Sequence, residues 1–209
     1  MARQVANRLH DAIRTPGPQP GPAEQRFFPA ALRPIILAVL WGLLPGLAGA
    51  QQPTEYEVEA AFLLNFTRFI EWPTSSFADA RSPFAICIYG KDPFGAVLDE
   101  IVQGESVNGR RLTVKRLSEP SGFQSCQILF FSTFDRELLK NVSASGHGVL
   151  TVGEGDNFVR AGGVIGFVLE SRRVRFDINQ TAAEEASLKL SSKLLSVARS
   201  LHRIKGQPR

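Results

Sequence analysis

The chain is short of the side chains that most often do chemistry. It has three histidines, two cysteines and one methionine in 209 residues. No grouping of His, Cys and carboxylates has ligand spacing, so no metal site is expected. No cofactor is expected either, because "GEGDNF" (Gly153 to Phe158) matches neither the dinucleotide fingerprint nor the P-loop. His147, in "SGHGVL", has no nucleophile motif beside it and reads as a loop residue without a catalytic role. His202 reads as structural, on the last turn of a helix with Arg199 and Arg203, where a cation suits the dipole. Catalysis is not indicated.

A run long enough to span a membrane is missing too. Pro34 to Leu47, "PIILAVLWGLLPGL", falls short of the roughly 20 apolar residues a span needs, and it carries Pro45 near its end. It follows Arg26 and Arg33 and ends in Ala48-Gly49-Ala50, a small-x-small pattern suited to signal peptidase, with cleavage expected before Gln51. A retained anchor is the alternative. No Cys follows the run, which leaves a lipoprotein anchor unsupported. Residues 1–50 are therefore read as a leader and cleaved signal, and residues 51–209 as one domain with no membrane insertion after cleavage. Met1 to Arg33, rich in Pro and Gly, is given no function.

Charge of one sign is also lacking once the leader is set aside. Of 24 Lys and Arg, five lie in the leader and 19 remain; of 20 Asp and Glu, two lie there and 18 remain. A nearly neutral domain without a basic stripe does not suit nucleic acid. Both cysteines, Cys87 and Cys126, survive cleavage. An even number in an exported chain favours a disulfide, and two small buried thiols that never meet are the other reading.

What is present is a regular alternation of elements. Thr54 to Glu71 has helical periodicity, with a Thr54/Glu57 capping box and a stop at Trp72-Pro73. Val58, Phe62, Phe66 and Phe69 share its apolar face, widened by Leu63 and Ile70, and Glu57, Thr67, Arg68 and Glu71 take the other side. Leu64 falls among those polar residues, and Asn65 falls in the apolar arc, where it would need buried partners. "FAICIY" (Phe84 to Tyr89), "RLTVKRL" (Arg111 to Leu117), "CQILFF" (Cys126 to Phe131) and "GVLTVG" (Gly148 to Gly153) read as strands. Helices are expected within Lys91 to Gly104 and over Phe134 to Val142, and a hairpin turns at Ser171-Arg172 between Gly163–Glu170 and Arg173–Asn179. Thr181 to Ile204 reads as one long amphipathic helix with Ala183, Leu190, Leu194, Val197 and Leu201 on its core face. Leu188 and Leu195, one heptad apart, fall outside that stripe and would widen the core or form a subunit contact. The order predicts a single-domain α/β sandwich, a mixed sheet flanked by helices.

"AAFLLNFTRFIEWP", "ICIYGKDPFG", "CQILF", "VLTVGEGDNF", "GGVIGFVLESRRVRFDIN" and "LKLSSKLLSVA", in this order from about Tyr56 to Ala198, resemble the YfiR family. The resemblance implies a periplasmic regulator that binds the periplasmic region of an inner-membrane YfiN-type diguanylate cyclase and represses it, lowering cyclic-di-GMP and biofilm formation. It implies a pairing of Cys87 with Cys126 and a response to envelope redox state. Some members carry a second cysteine pair, which this chain lacks, so a two-disulfide switch does not carry over. The partner could equally be another membrane sensor protein. Leu64, Arg68, Leu188 and Leu195 are the expected partner or homodimer contacts. The alternative is a small-molecule-binding module serving a membrane receptor, kinase or transporter, with Gly153, Glu154, Gly155 and Asp156 as its ligand loop.

Overall fold

A computed structural model of the protein describes residues 53–203. The expected leader, signal sequence and cleavage site lie outside the described residues. Helix α1 (Glu55–Phe69) begins where its capping box places it: the Glu57 amide donates to Thr54 Oγ1 at 3.3 Å, and the Thr54 amide donates to Glu57 Oε2 at 2.5 Å. Two of the four orphan amides of the first turn are thereby satisfied. The chain leaves α1 extended, as β1 (Ile70–Glu71), and the Trp72 indole N–H donates to the Gln127 carbonyl at 3.0 Å.

Nine further strands follow: β2 (Phe84–Tyr89), β3 (Ser106–Val107), β4 (Arg110–Leu117), β5 (Ile128–Phe131), β6 (Leu150–Glu154), β7 (Ile165–Glu170), β8 (Arg173–Asn179), β9 (Lys189–Leu190) and β10 (Ser200–His202). Eight of them make one mixed sheet in the order β10-β8-β7-β6-β5-β2-β4-β3, parallel from β4 through β7. The β7–β8 hairpin is antiparallel, and β1 pairs separately with β9. The central strands β2, β5 and β6 are apolar almost without interruption because both of their faces are covered.

Alternation sorts their side chains into two cores. Phe84, Ile86 and Ile88 of β2 face α1, α2 (Ala96–Val102) and α6 (Ser192–Val197), beside Phe130, Val152, Phe167 and Phe176. Ala85 and Cys87 face the opposite layer, with Leu138, Leu139 and Val142 of α3 (Arg136–Ala144) and Phe158 of α4 (Asp156–Arg160). Phe62 and Phe66 of α1 meet Phe176 edge-on at centroid distances of 5.3 and 5.4 Å.

Two expectations are corrected. The apolar face of α1 is rotated from its sequence reading: Glu59, Ala60, Leu63, Phe66 and Thr67 are buried, whereas Asn65 is exposed. Thr67 tolerates burial because its hydroxyl donates to the Leu64 carbonyl at 2.7 Å. The second correction is the long C-terminal helix. Thr181 to Arg203 is broken into α5 (Gln180–Glu185), β9, α6 and β10, with Ser187 at φ +56° between the first two. A residue in that left-handed conformation ends a helix as a C-terminal glycine would.

Candidate functional site

The C-terminal end of β6 and the loop after it, Gly153 to Asp156, are where the least ordinary polar groups converge. Alternation sends Glu154 to the α1 side of the sheet and Gly153 to the other. On the α1 side Glu59 is 1% exposed, and its Oε2 has no hydrogen-bond partner. Seven polar or charged residues are buried among those described, and Glu59 supplies the one buried side-chain oxygen or nitrogen without a partner. Gln127, by contrast, accepts from the Ala85 amide at 2.7 Å and donates to the Ser76 carbonyl at 2.6 Å. Burial, then the carboxylates of Glu154 and Glu55, push the Glu59 carboxyl up to about 8. Glu154 is raised by loss of hydration and then by Glu55, and the Tyr56 hydroxyl is raised first by Glu154. At neutral pH Glu59 therefore holds its proton.

On the opposite side the loop is tied down. Arg199, just before β10, donates from Nε to Asp177 Oδ1 at 2.8 Å and from Nη2 to Asp177 Oδ2 at 2.5 Å and to Asp156 Oδ1 at 2.7 Å. His202 Nε2 lies 3.5 Å from Asp177 Oδ2. Asp177 is 2% exposed. Burial alone would raise its carboxyl, but the hydrogen bonds and charges of Arg199 and His202 outweigh it and hold the group below its ordinary range. His202 thus sits on a strand beside a buried carboxylate, not on a helix terminus.

The glycines of the expected ligand loop have other work. A Cβ on Gly153 would lie 2.5 Å from the Phe158 ring, and one on Gly163 would lie 2.2 Å from it, so the two glycines sandwich that ring. Gly155 has φ +81° and opens α4, whose five residues carry little dipole. With Glu154 and Asp156 on the loop, an anion would meet carboxylates, which disfavours a phosphate there. Among the described residues no group of three or more His, Cys, Asp and Glu could hold a metal ion. The crevice at the C-terminal ends of β2 and β5, where the strand order reverses, is the usual ligand position in such sheets. Here its polar groups serve the protein: the Ser132 amide donates to the Tyr89 carbonyl at 3.1 Å and the Ser132 hydroxyl to the Lys91 carbonyl. An open groove of about 840 Å³ lies between α2 and the β3–β4 edge, but two of its acids are already paired, Asp99 with Arg116 and Glu105 with Arg68.

The remaining expected residues separate. Cys87, inside β2, and Cys126, just before β5, are bonded, with Cα atoms 5.8 Å apart and both side chains buried. The bond lies in the core beneath α3, on the other face of the sheet from α1. Leu64 is half-buried against the core, and Arg68 is exposed and paired with Glu105 at 2.8 Å. Leu188 is 4% exposed, inside the core, and Leu195 packs partly against it. Because the chain is not helical at Leu188, the heptad relation between these two leucines does not form a seam. Sequence reading gives Glu59 and Asp177 no role and takes Arg199 only as a helix neighbour of His202. The spacing of Glu59 to Leu63, Phe66 and Ile70 was the available signal for the first.

A family model described as YfiR/HmsC-like matches residues 56–199. Among solved structures, the crystal structure of a conserved domain protein from Vibrio cholerae O1 biovar eltor is similar at 12% identity, with a TM-score of 0.44. The match covers 71% of this chain and 60% of that one, so this chain spans less than two thirds of that protein's length. No curated protein matches the chain.

Proposed function

The chain belongs to the YfiR/HmsC-like family, and on that premise we propose that it is a periplasmic regulator that binds a membrane-bound diguanylate cyclase and represses it. The consequence in the cell is less cyclic-di-GMP and less biofilm. The observation that carries the reading is the family match over nearly the whole described domain.

Other features support it. The buried Cys87–Cys126 bond suits an oxidising compartment. Among the described residues no helix is long and apolar enough to cross a membrane. Arg199 with Asp177 and Asp156, and Ser132 with the Lys91 carbonyl, are engaged in contacts that build structure. A protein of this kind acts by contact.

The test is titration of the exported protein with the purified periplasmic regions of the inner-membrane diguanylate cyclases of the same cell. Saturable binding that survives physiological salt is expected. No heat of binding and no co-elution with any of those regions would overturn the proposal.

A further inference from the structure

The β7–β8 hairpin reaches beyond the sheet that carries it. Strand β6 pairs with β7 only at Ile165, Gly166 and Phe167. On the other side, β10 pairs with β8 only from Asp177 to Asn179. Residues 168–170 and 173–175 therefore pair only with each other, as Val168↔Arg175, Leu169↔Val174 and Glu170↔Arg173. Three residues of extended chain make a two-stranded ribbon about 10 Å long with no strand on either flank.

Its turn and its side chains are unusual together. Ser171 and Arg172 take φ of +50° and +62°, the mirror-image two-residue turn that normally recruits Asn and Gly. Such backbone positions concentrate at functional segments. Arg172, Arg173 and Arg175 are all exposed and, among the described residues, have no ion pair or side-chain hydrogen bond. Glu170, directly across from Arg173, lies 3.9 Å from Arg199. Leu169 is 54% exposed on the opposite face of the ribbon.

We propose that this ribbon is a docking element for an anionic phospholipid bilayer, with the arginines on lipid phosphates and Leu169 at the acyl boundary. Guanidinium groups match phosphate oxygens in a two-pronged geometry. A convex tip with several cations can reach a planar charged surface, and an apolar side chain beside them gains by leaving water there. Against an acidic protein segment the arginines would be satisfied, but Leu169 would keep its exposure. The bilayer uses both halves of the ribbon. The assignment stands apart from the cyclase reading, since its assay contains no partner protein.

The experiment is co-sedimentation of the exported protein with vesicles of mixed phosphatidylglycerol and phosphatidylcholine, and with vesicles of phosphatidylcholine alone. Wild type is compared with a triple variant, Arg172→Gln, Arg173→Gln and Arg175→Gln, with a triple Lys variant and with Leu169→Ser. Each arginine near a charged surface strengthens binding about fivefold, so the triple Gln variant should bind the anionic vesicles about a hundredfold more weakly. The Lys variant, which keeps the charge but not the two-pronged contact, should bind between wild type and the Gln variant, Leu169→Ser should lose a smaller part than the Gln variant, and added salt should weaken wild type. Because every variant has the same N-terminal segment, differences between them report the ribbon, and an unchanged melting temperature verifies the fold. Equal sedimentation of wild type and the Gln variant, or equal binding to neutral and anionic vesicles, overturns the proposal. Loss of binding only to an acidic peptide such as polyglutamate, with vesicle binding intact, assigns the ribbon to a protein partner and overturns it too.

Discussion

Replacing Glu59 by Gln keeps the shape of the buried carboxyl and removes its titration. In the folded protein the group holds its proton up to about pH 8, against an ordinary value of 4.5. Between those two pH values the native state binds more protons than the unfolded chain, so stability falls as pH rises. Below the window nothing is lost, and above it the loss is complete. Each pH unit across that window costs about 1.4 kcal/mol, which puts the whole loss on the order of 5 kcal/mol. A domain of this size is stable by about 5–15 kcal/mol, so the effect is large enough to dominate its alkaline behaviour.

Gln does not come free, because its amide protons would be as short of partners as Glu59 Oε2 is now. That leaves the variant about 1–3 kcal/mol weaker than wild type at pH 5. At pH 9 the order reverses, and the variant should be stronger by about 2–4 kcal/mol. Urea unfolding of both proteins at each pH from 5 to 9 reads the two slopes. Parallel profiles, with no crossing, would refute the reasoning, because they would mean that Glu59 is hydrated or ionised in the native state.

Three further perturbations test the rest of the site. Cys87→Ser opens a closed loop spanning 39 positions, for which chain entropy gives about 4 kcal/mol; denaturant midpoints should drop accordingly, and non-reducing mass spectrometry should find no free thiol in wild type. Gly153→Ala pushes a methyl group against the Phe158 ring and should destabilise by about 1–3 kcal/mol, with partial recovery when Phe158→Leu is added; full stability of the single variant would contradict the sandwich. Arg199→Ala leaves the buried Asp177 carboxylate with His202 beside it but without its guanidinium, and should cost up to about 3–5 kcal/mol at pH 7. The carboxyl of Asp177 is held low, so that contribution is present above its unfolded value and fades in acid, and the cost should shrink towards pH 3 in calorimetry.

Elements whose signals are local were legible in the sequence. Thr54 and Glu57 are close enough to name the start of α1, and the two-residue gap at Ser171-Arg172 fixed the hairpin. The apolar runs from Phe84 and from Cys126 marked strands, the second a buried central one, because only doubly covered strands can be apolar on both faces. The face of α1 was misread because polarity assigns Thr67 to solvent and leaves Glu59 unremarked, whereas helix geometry places both on the buried stripe with Leu63 and Phe66. The C-terminal segment was misread for a different reason. Leu190, Leu194 and Leu201 keep helical spacing by chance, and the break before them is made by Ser187, which is neither Gly nor Pro. With a helix assumed there, Arg199 could not be seen to reach Asp177, 22 positions away in sequence and in the neighbouring strand.

Repression by contact is tested most directly by measuring cyclic-di-GMP in cells lacking this gene, with the diguanylate cyclase that binds the protein in that titration present and with it deleted. The level should rise on loss of the gene only where the cyclase is present, and it should fall again when the gene is restored. An unchanged level in cells that express the cyclase would contradict it.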